Sequence, residues 1–161
     1  MNKGVLFGCL FLSLALSNCA SSQKQAPANS EEIVASSKNV TDAIAEFNEY
    51  AKNNAIYFAF DSDKVNKKEI INNYKEQLAN ISKLKQVKLT INGYCDAVGD
   101  EEYNYNLGLR RANAVKGAIN KEVKNNIKLN VKSYGKSKVE NYSDDKKEND
   151  KLNRKVVIIA E

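Results

Sequence analysis

The sequence predicts an α+β domain whose elements run β-α-β-α-β-β, and three observations carry that expectation. Two runs alternate apolar and polar residues with the period of a half-buried strand. They are Val87, Leu89 and Ile91 against Lys88, Thr90 and Asn92, then Ile127, Leu129 and Val131 against Lys128, Asn130 and Lys132. Two other stretches place residues on one helical face, as a helix with one covered face does: Ile70, Tyr74, Leu78 and Ile81, three and four apart, then Leu107, Val115, Ala118 and Ile119, with Arg111 filling the eight-residue gap between the first two. Short apolar runs at residues 55–60 and 155–160 complete the set. The first reads as a strand covered on both faces.

The elements follow in order from the N-terminus. Lys3, an apolar stretch from Val5 to Leu16 and the sequence Leu16-Ser17-Asn18-Cys19 form a charged, an apolar and a processing region. Residues 1–18 are therefore expected to be a secretory signal, since the apolar run is shorter than the roughly 20 residues a spanning helix needs. Residues 19–54 are expected to be a tether. Its first part, residues 20–38, is small, polar and aperiodic. Val40, Ile44, Phe47 and Ala51 then recur at helical spacing, with Asn39 as N-cap and Asn53-Asn54 as stop. That helix suits either packing on the domain or service as part of a stalk. The domain itself is assigned to residues 55–161, about 105 residues and enough for one core. A helix over residues 66–85 precedes the first alternating strand, which ends at Gly93. A second helix runs to about Lys121 and leads to the second alternating strand. A charged loop over residues 135–153 precedes the final strand. Strands separated by helices favour parallel pairing with right-handed crossovers, whereas the loop of about twenty residues leaves the last strand's direction open. No internal repeat is present.

Composition removes much chemistry. The chain has no histidine, which excludes Ser-His and Cys-His dyads and the commonest metal ligand. Of three cysteines, Cys9 falls within the signal, Cys19 closes it and Cys95 is then alone, so neither a disulfide nor a Cys-rich zinc site is expected. Cys95 reads as a small side chain ending a strand rather than a redox centre. Acidic pairs such as Asp61/Asp63 and Asp144/Asp145 lie in loops, where they are solvated, and they lack the further oxygens of a calcium loop. No P-loop and no interleaved basic and aromatic stripe appears. Removal of Lys3 with the signal leaves 24 basic against 20 acidic residues, spread along the chain as a solvated surface. No enzyme, cofactor or metal is expected.

Residues 93–115, G-Y-C-D-A-V-G-D-E-E-Y-N-Y-N-L-G-L-R-R-A-N-A-V, concentrate what binding chemistry the chain has. At about 100° per residue, Arg111 falls near the centre of the stripe formed by Leu107, Val115, Ala118 and Ile119, while Arg110 lies at its edge and reaches solvent. A guanidinium aimed at a core must be paired or hydrogen-bonded, and Asp96 at the strand exit is the expected neighbour. Such a pair suits the carboxylate and ammonium of a zwitterionic amino acid. It equally suits a structural salt bridge.

Three ordered motifs carry a resemblance. Gly93-Tyr94-Cys95-Asp96-x-x-Gly99 with Tyr103-Asn104-x-x-Leu107-Gly108-x-Arg110-Arg111-Ala112-x-x-Val115 is preceded by Tyr57-Phe58-Ala59-Phe60-Asp61 and followed by Asn153-Arg154-Lys155-Val156. Together they resemble OmpA-like peptidoglycan-binding domains, from about Ala55 to Glu161, and within that family the lipoprotein branch that works with the Tol system. Cys95 stands where the family usually has Thr, and Lys155 departs from its second Arg. The resemblance implies a mixed four-stranded sheet with helices on one face, and a non-catalytic protein that binds the diaminopimelate of peptidoglycan stem peptides. By motif position Asp96 would take the ammonium and Arg111 the carboxylate. Phe60, Asp61 and Asp63 would form part of the rim, and Asn104 and Leu107 would line the site, Asn104 also ordering the loop. Arg154 is read as structural support through a strand-end ion pair. Cys19 resembles a lipobox cysteine, lipidated after processing, although Asn18 replaces the usual small residue; a plainly cleaved signal is the alternative. Ala20 implies sorting to the outer membrane. The implied function is a link between outer membrane and wall, and the alternative is docking on a Tol-type β-propeller with wall binding incidental.

Overall fold

The computed structural model describes residues 30–123, 127–140 and 149–161. The signal segment, Cys19 and residues 20–29 of the tether lie outside the described residues. The elements are α1 (Ser30–Asn53), β1 (Ile56–Tyr57), α2 (Lys67–Ile81), β2 (Lys88–Tyr94), α3 (Glu101–Ile119), β3 (Lys128–Gly135), α4 (Asn149–Asn153) and β4 (Lys155–Ala160). They form one mixed sheet of order β1-β4-β2-β3. β2 and β3 are parallel, with Lys88 opposite Lys128 and Ile91 opposite Val131. β4 answers the question of direction: it inserts between β1 and β2, antiparallel to both.

Two layers enclose the core. Leu89 and Ile91 of β2 and Val156, Ile158 and Ala160 of β4 point to one face, where they meet Tyr74, Leu78 and Ile81 of α2 and Val115, Ala118 and Ile119 of α3. The expected stripes are thus the buried ones. Asn66 caps α2, its side chain accepting from the Glu69 N–H at 3.3 Å. β4 is apolar after Lys155, yet it alternates: Val157 and Ile159 are half-buried on the opposite, open face.

Three sequence expectations need correction. Residues 55–60 are not a doubly covered strand. Only Ile56 and Tyr57 pair with β4, at the sheet's edge, and Tyr57 and Phe60 are exposed. An edge position offers one neighbour, and just beyond Tyr57 the side chains of Arg154 and Arg111 take up the carbonyls of Phe58 and Ala59 in place of a ladder. Next, α1 begins at Ser30, not Asn39. Its C-terminal part packs on the domain, with Phe47 and Ala51 buried, so the core reaches back beyond residue 55. Ala160 turns its N–H and carbonyl away from β2, and Asn48 of α1 meets both, at 2.7 and 3.1 Å, standing in for the strand that β1 is too short to supply. Finally, the loop before β4 ends in a short helix, α4.

Candidate binding site

Backbone proximity builds the site. A Cβ on Gly93 would lie 2.0 Å from the Gly108 carbonyl oxygen, so only glycine lets α3 press so closely on the end of β2. Asp100 caps α3 by accepting from the Tyr103 N–H at 2.7 Å. Gly99, at φ +92°, turns the loop from β2 into the helix. Arg111 follows Gly108 by one turn and is thereby delivered to the strand exit.

There Arg111 is fully buried. Its Nε donates to the Ser62 carbonyl at 2.8 Å, Nη1 to Tyr94 O at 3.0 Å and Cys95 Sγ at 3.4 Å, and Nη2 to Ala59 O at 3.2 Å. The guanidinium also lies over the Phe58 ring, 5.2 Å from its centre. The hydrogen bonds occupy four of its five N–H groups. The expected Asp96–Arg111 ion pair does not form. Asp96 is buried and its Oδ2 meets Arg154 Nη1 at 3.2 Å, while Oδ1 accepts from the Val98 N–H at 3.2 Å. Arg154 also donates to Phe58 O at 3.1 Å. It therefore makes the strand-end ion pair expected of it, with the residue expected to serve Arg111. The physical reason is reach: β4 starts beside the exit of β2, and Arg111 is satisfied by three carbonyls of its own.

Beside these groups lies a cavity of about 160 Å³. Phe60, Asp61, Asp96, Asn104, Leu107 and Arg111 line it, which is six of the seven residues expected from sequence. Asp63 does not; its carboxylate faces Arg110 at 3.3 Å. Asn104 does both things expected of it, since its amide also donates to the Val98 and Asp100 carbonyls at 2.7 and 2.9 Å and so orders the loop. Val98, Gly99 and Tyr103 complete the wall and were missed. The signal was available: a loop joining Asp96 to Asn104 must pass the cavity both line. Tyr103 donates its hydroxyl proton to Asp61, which sits in the left-handed region at φ +51°.

Burial sets the electrostatics. It draws the Arg111 guanidinium down from its ordinary value, against the opposing fields of Cys95 and Asp96, and an arginine stays charged there nonetheless. It pushes the Cys95 thiol up, with Arg111 pulling the other way. Cys95 Sγ lies 3.2 Å from the Asn104 carbonyl oxygen, a contact that suits a protonated thiol. The Tyr103 hydroxyl is raised chiefly by its hydrogen bond to Asp61. The arrangement offers a carboxylate with unused lone pairs and a guanidinium with one spare N–H, both opening on one small space.

A model of the OmpA family matches residues 57–154, which contain every element of this site. The chain belongs to the OmpA family. Among curated members, the peptidoglycan-associated lipoprotein of Brucella melitensis is 30% identical over 107 residues, covering 66% of this chain and 62% of its own. That of Haemophilus influenzae is 32% identical over 109 residues, covering 65% and 64%. The chain thus spans under two thirds of the length of these relatives. Two solved structures share the fold: the Burkholderia pseudomallei peptidoglycan-associated lipoprotein (TM-score 0.52, 28% identity, 66% of this chain and 89% of that one) and the C-terminal domain of Helicobacter pylori MotB (0.54, 26%, 67% and 84%).

Proposed function

We propose that the protein is a non-catalytic envelope lipoprotein that links the outer membrane to the cell wall by binding the diamino acid of peptidoglycan stem peptides. The observation that carries this reading is the shared cavity: buried Asp96 and Arg111 both open on a space fit for one amino-acid head group. OmpA family membership and the named relatives support it. Asp96 takes the ammonium through its free lone pairs. Arg111 gives its spare N–H to the carboxylate, and a second bond follows if the Ser62 or Ala59 carbonyl yields. Phe60, Asp61 and Leu107 bound the ligand, and Asn104 holds the loop; Asp63 acts at one remove, by holding Arg110. Cys19 carries the lipid, and the domain faces the periplasm. No helix of the described residues is long and apolar enough to cross a membrane, so in this reading anchoring falls to the lipid. The full-length protein is expected to co-sediment with isolated peptidoglycan, and free diaminopimelate is expected to release it. Sedimentation indifferent to that competitor would end the reading.

A second reading is favoured by the mouth of the cavity. Phe60, Val98 and Tyr103 are 62, 53 and 43% exposed around it, a large apolar collar for one head group. Docking of a Tol-type β-propeller over the same mouth would use it. Competition between such a partner and diaminopimelate for one protein molecule would mark a shared surface.

A further inference from the structure

The face of the sheet turned away from the helices carries a row of tyrosines and lysines that the cavity does not use. Tyr57 of β1 lies opposite Lys155 of β4 in register. Lys155 Nζ lies 5.8 Å from the centre of the Tyr94 ring on β2. Tyr94 stacks on Tyr134 of β3 with centroids 5.1 Å apart and planes 13° from parallel. Lys132 and Lys138 approach the Tyr134 ring at 4.6 and 5.5 Å. The row crosses all four strands at one end of the sheet, three inter-strand spacings or roughly 14 Å. A shallow trough of about 650 Å³ adjoins it, floored by Val157 and Ile159 and walled by Lys52 of α1.

We infer that this row is a second contact surface for the wall polymer, taking its sugar backbone while the cavity takes a stem peptide; the inference rests on the peptidoglycan reading above. Position argues for it first. Tyr94 gives its backbone carbonyl to Arg111, and Asp96 is two residues further on, so row and cavity occupy two sides of one strand end. A polymer with one branch in the cavity has its backbone passing that end. Chemistry argues next. Tyr57, 54% exposed, presents a flat apolar face of the kind that matches the C–H face of a pyranose ring, and the stacked pair Tyr94 and Tyr134 sets ring edges and hydroxyls beside it. Lys155 is matched by Glu140 at 3.1 Å and Lys132 feels the field of the Glu161 carboxylate, while Lys138 lies over the Tyr134 ring; the exposed ammoniums of Lys132 and Lys138 can meet the carboxylates of neighbouring stem peptides.

The test uses the full-length protein with three probes: isolated peptidoglycan, N-acetylglucosamine tetramer and a single-stranded oligothymidylate. Tyr57→Ala/Tyr134→Ala and Lys132→Gln/Lys138→Gln change half-buried or exposed side chains, and the second pair leaves every tyrosine in place. Each double variant is expected to lose about tenfold in affinity for isolated peptidoglycan while free diaminopimelate binds as before. The tetramer should quench wild-type tyrosine fluorescence and fail to do so in the tyrosine variant. If both variants sediment like wild type, the row is idle and the cavity reading stands alone. A wild type that does not sediment brings down both. Preference for oligothymidylate over the tetramer overturns the sugar assignment, since aromatic rows also stack on bases.

Discussion

Arg111 is fully buried and donates to three backbone carbonyls from two separate segments. Arg110, one residue earlier on the same helix, leaves about half its side chain in solvent and meets only the Asp63 carboxylate and, at 5.8 Å, the Tyr103 ring. Charge and helix are the same and the positions adjacent; helical phase separates them. One step of about 100° turns a surface ion pair into the joint between the β1–α2 loop, the end of β2 and α3. The difference teaches that the buried arginine is a structural one first, and that whatever it can offer a ligand is what its structural bonds leave over.

Removing the inner arginine should therefore have the largest effect. Arg111→Ala leaves the carbonyls of Ala59, Ser62 and Tyr94 without their donor and opens a void among buried groups. Buried acceptors stripped of partners cost about 1–3 kcal/mol each before water relaxes the loss, so chemical denaturation should report a destabilisation of about 3 kcal/mol or more. A folded variant as stable as wild type would show that the loop carries itself. Arg111→Lys separates the roles: an ammonium can hold one or two of the carbonyls but cannot reproduce the fork. It should fold and bind peptidoglycan at least tenfold more weakly.

Asp96→Asn should come next. The amide oxygen can still accept from the Val98 N–H, but the buried ion pair with Arg154 becomes a bond to a neutral group. Arg154 keeps the Phe58 carbonyl, so the loss should be about 1–3 kcal/mol rather than the full cost of an abandoned charge. Calorimetry measures it, and sedimentation should fall by about tenfold or more because the ammonium loses its counter-charge. Normal binding would remove Asp96 from the site.

The fold was legible wherever period alone decides. The stripes of α2 and α3, the alternation of β2 and β3 and the span of β4 follow from covered faces. Residues 55–60 were misread because a continuous apolar run does not say whether a strand is central or at an edge. Here the run is interrupted by side-chain bonds from Arg154 and Arg111, over fifty residues away in sequence. The same long-range cause hid the pairing at the site. Sequence puts Asp96 and Arg111 at adjoining ends of neighbouring elements, but only the insertion of β4 between β1 and β2 brings Arg154 to Asp96. Six of the residues placed by motif position line the cavity, while Asp63, two residues past Asp61, turns to Arg110, because alternate residues of a loop need not face one way.

Cys95 gives a smaller effect with a defined sign. Burial raises its thiol above the ordinary value, so the folded state holds the proton more tightly than the unfolded chain. Its contribution is complete below the unfolded thiol's pKa of about 8.5 and is lost as pH rises through the folded value. Stability should thus decline above pH about 8.5 in wild type, and less steeply in Cys95→Ser. The folded thiol should also resist alkylation at neutral pH, with peptidoglycan binding little changed in the variant. Rapid alkylation of the native protein would refute its burial.

The outer arginine should give the smallest effect, and this is the measurement that can break the comparison. Arg110→Ala removes an ion pair whose two side chains are 47 and 43% exposed. Exposed pairs of this kind contribute about 0–1 kcal/mol, and screening by salt reduces that further. Asp63→Asn removes the same contact from the other side and should match it. Neither residue lines the cavity, so both variants should sediment with peptidoglycan within about twofold of wild type, a loss of roughly 0.4 kcal/mol. If wall binding were only attraction between a basic surface and an anionic polymer, Arg110→Ala would weaken it, Asp63→Asn would strengthen it, and both effects would fade with salt. That opposed pattern, read across a salt series, would show that net charge rather than the buried joint governs binding. Two variants that stay level with wild type while Arg111→Lys falls away leave helical phase as the deciding difference.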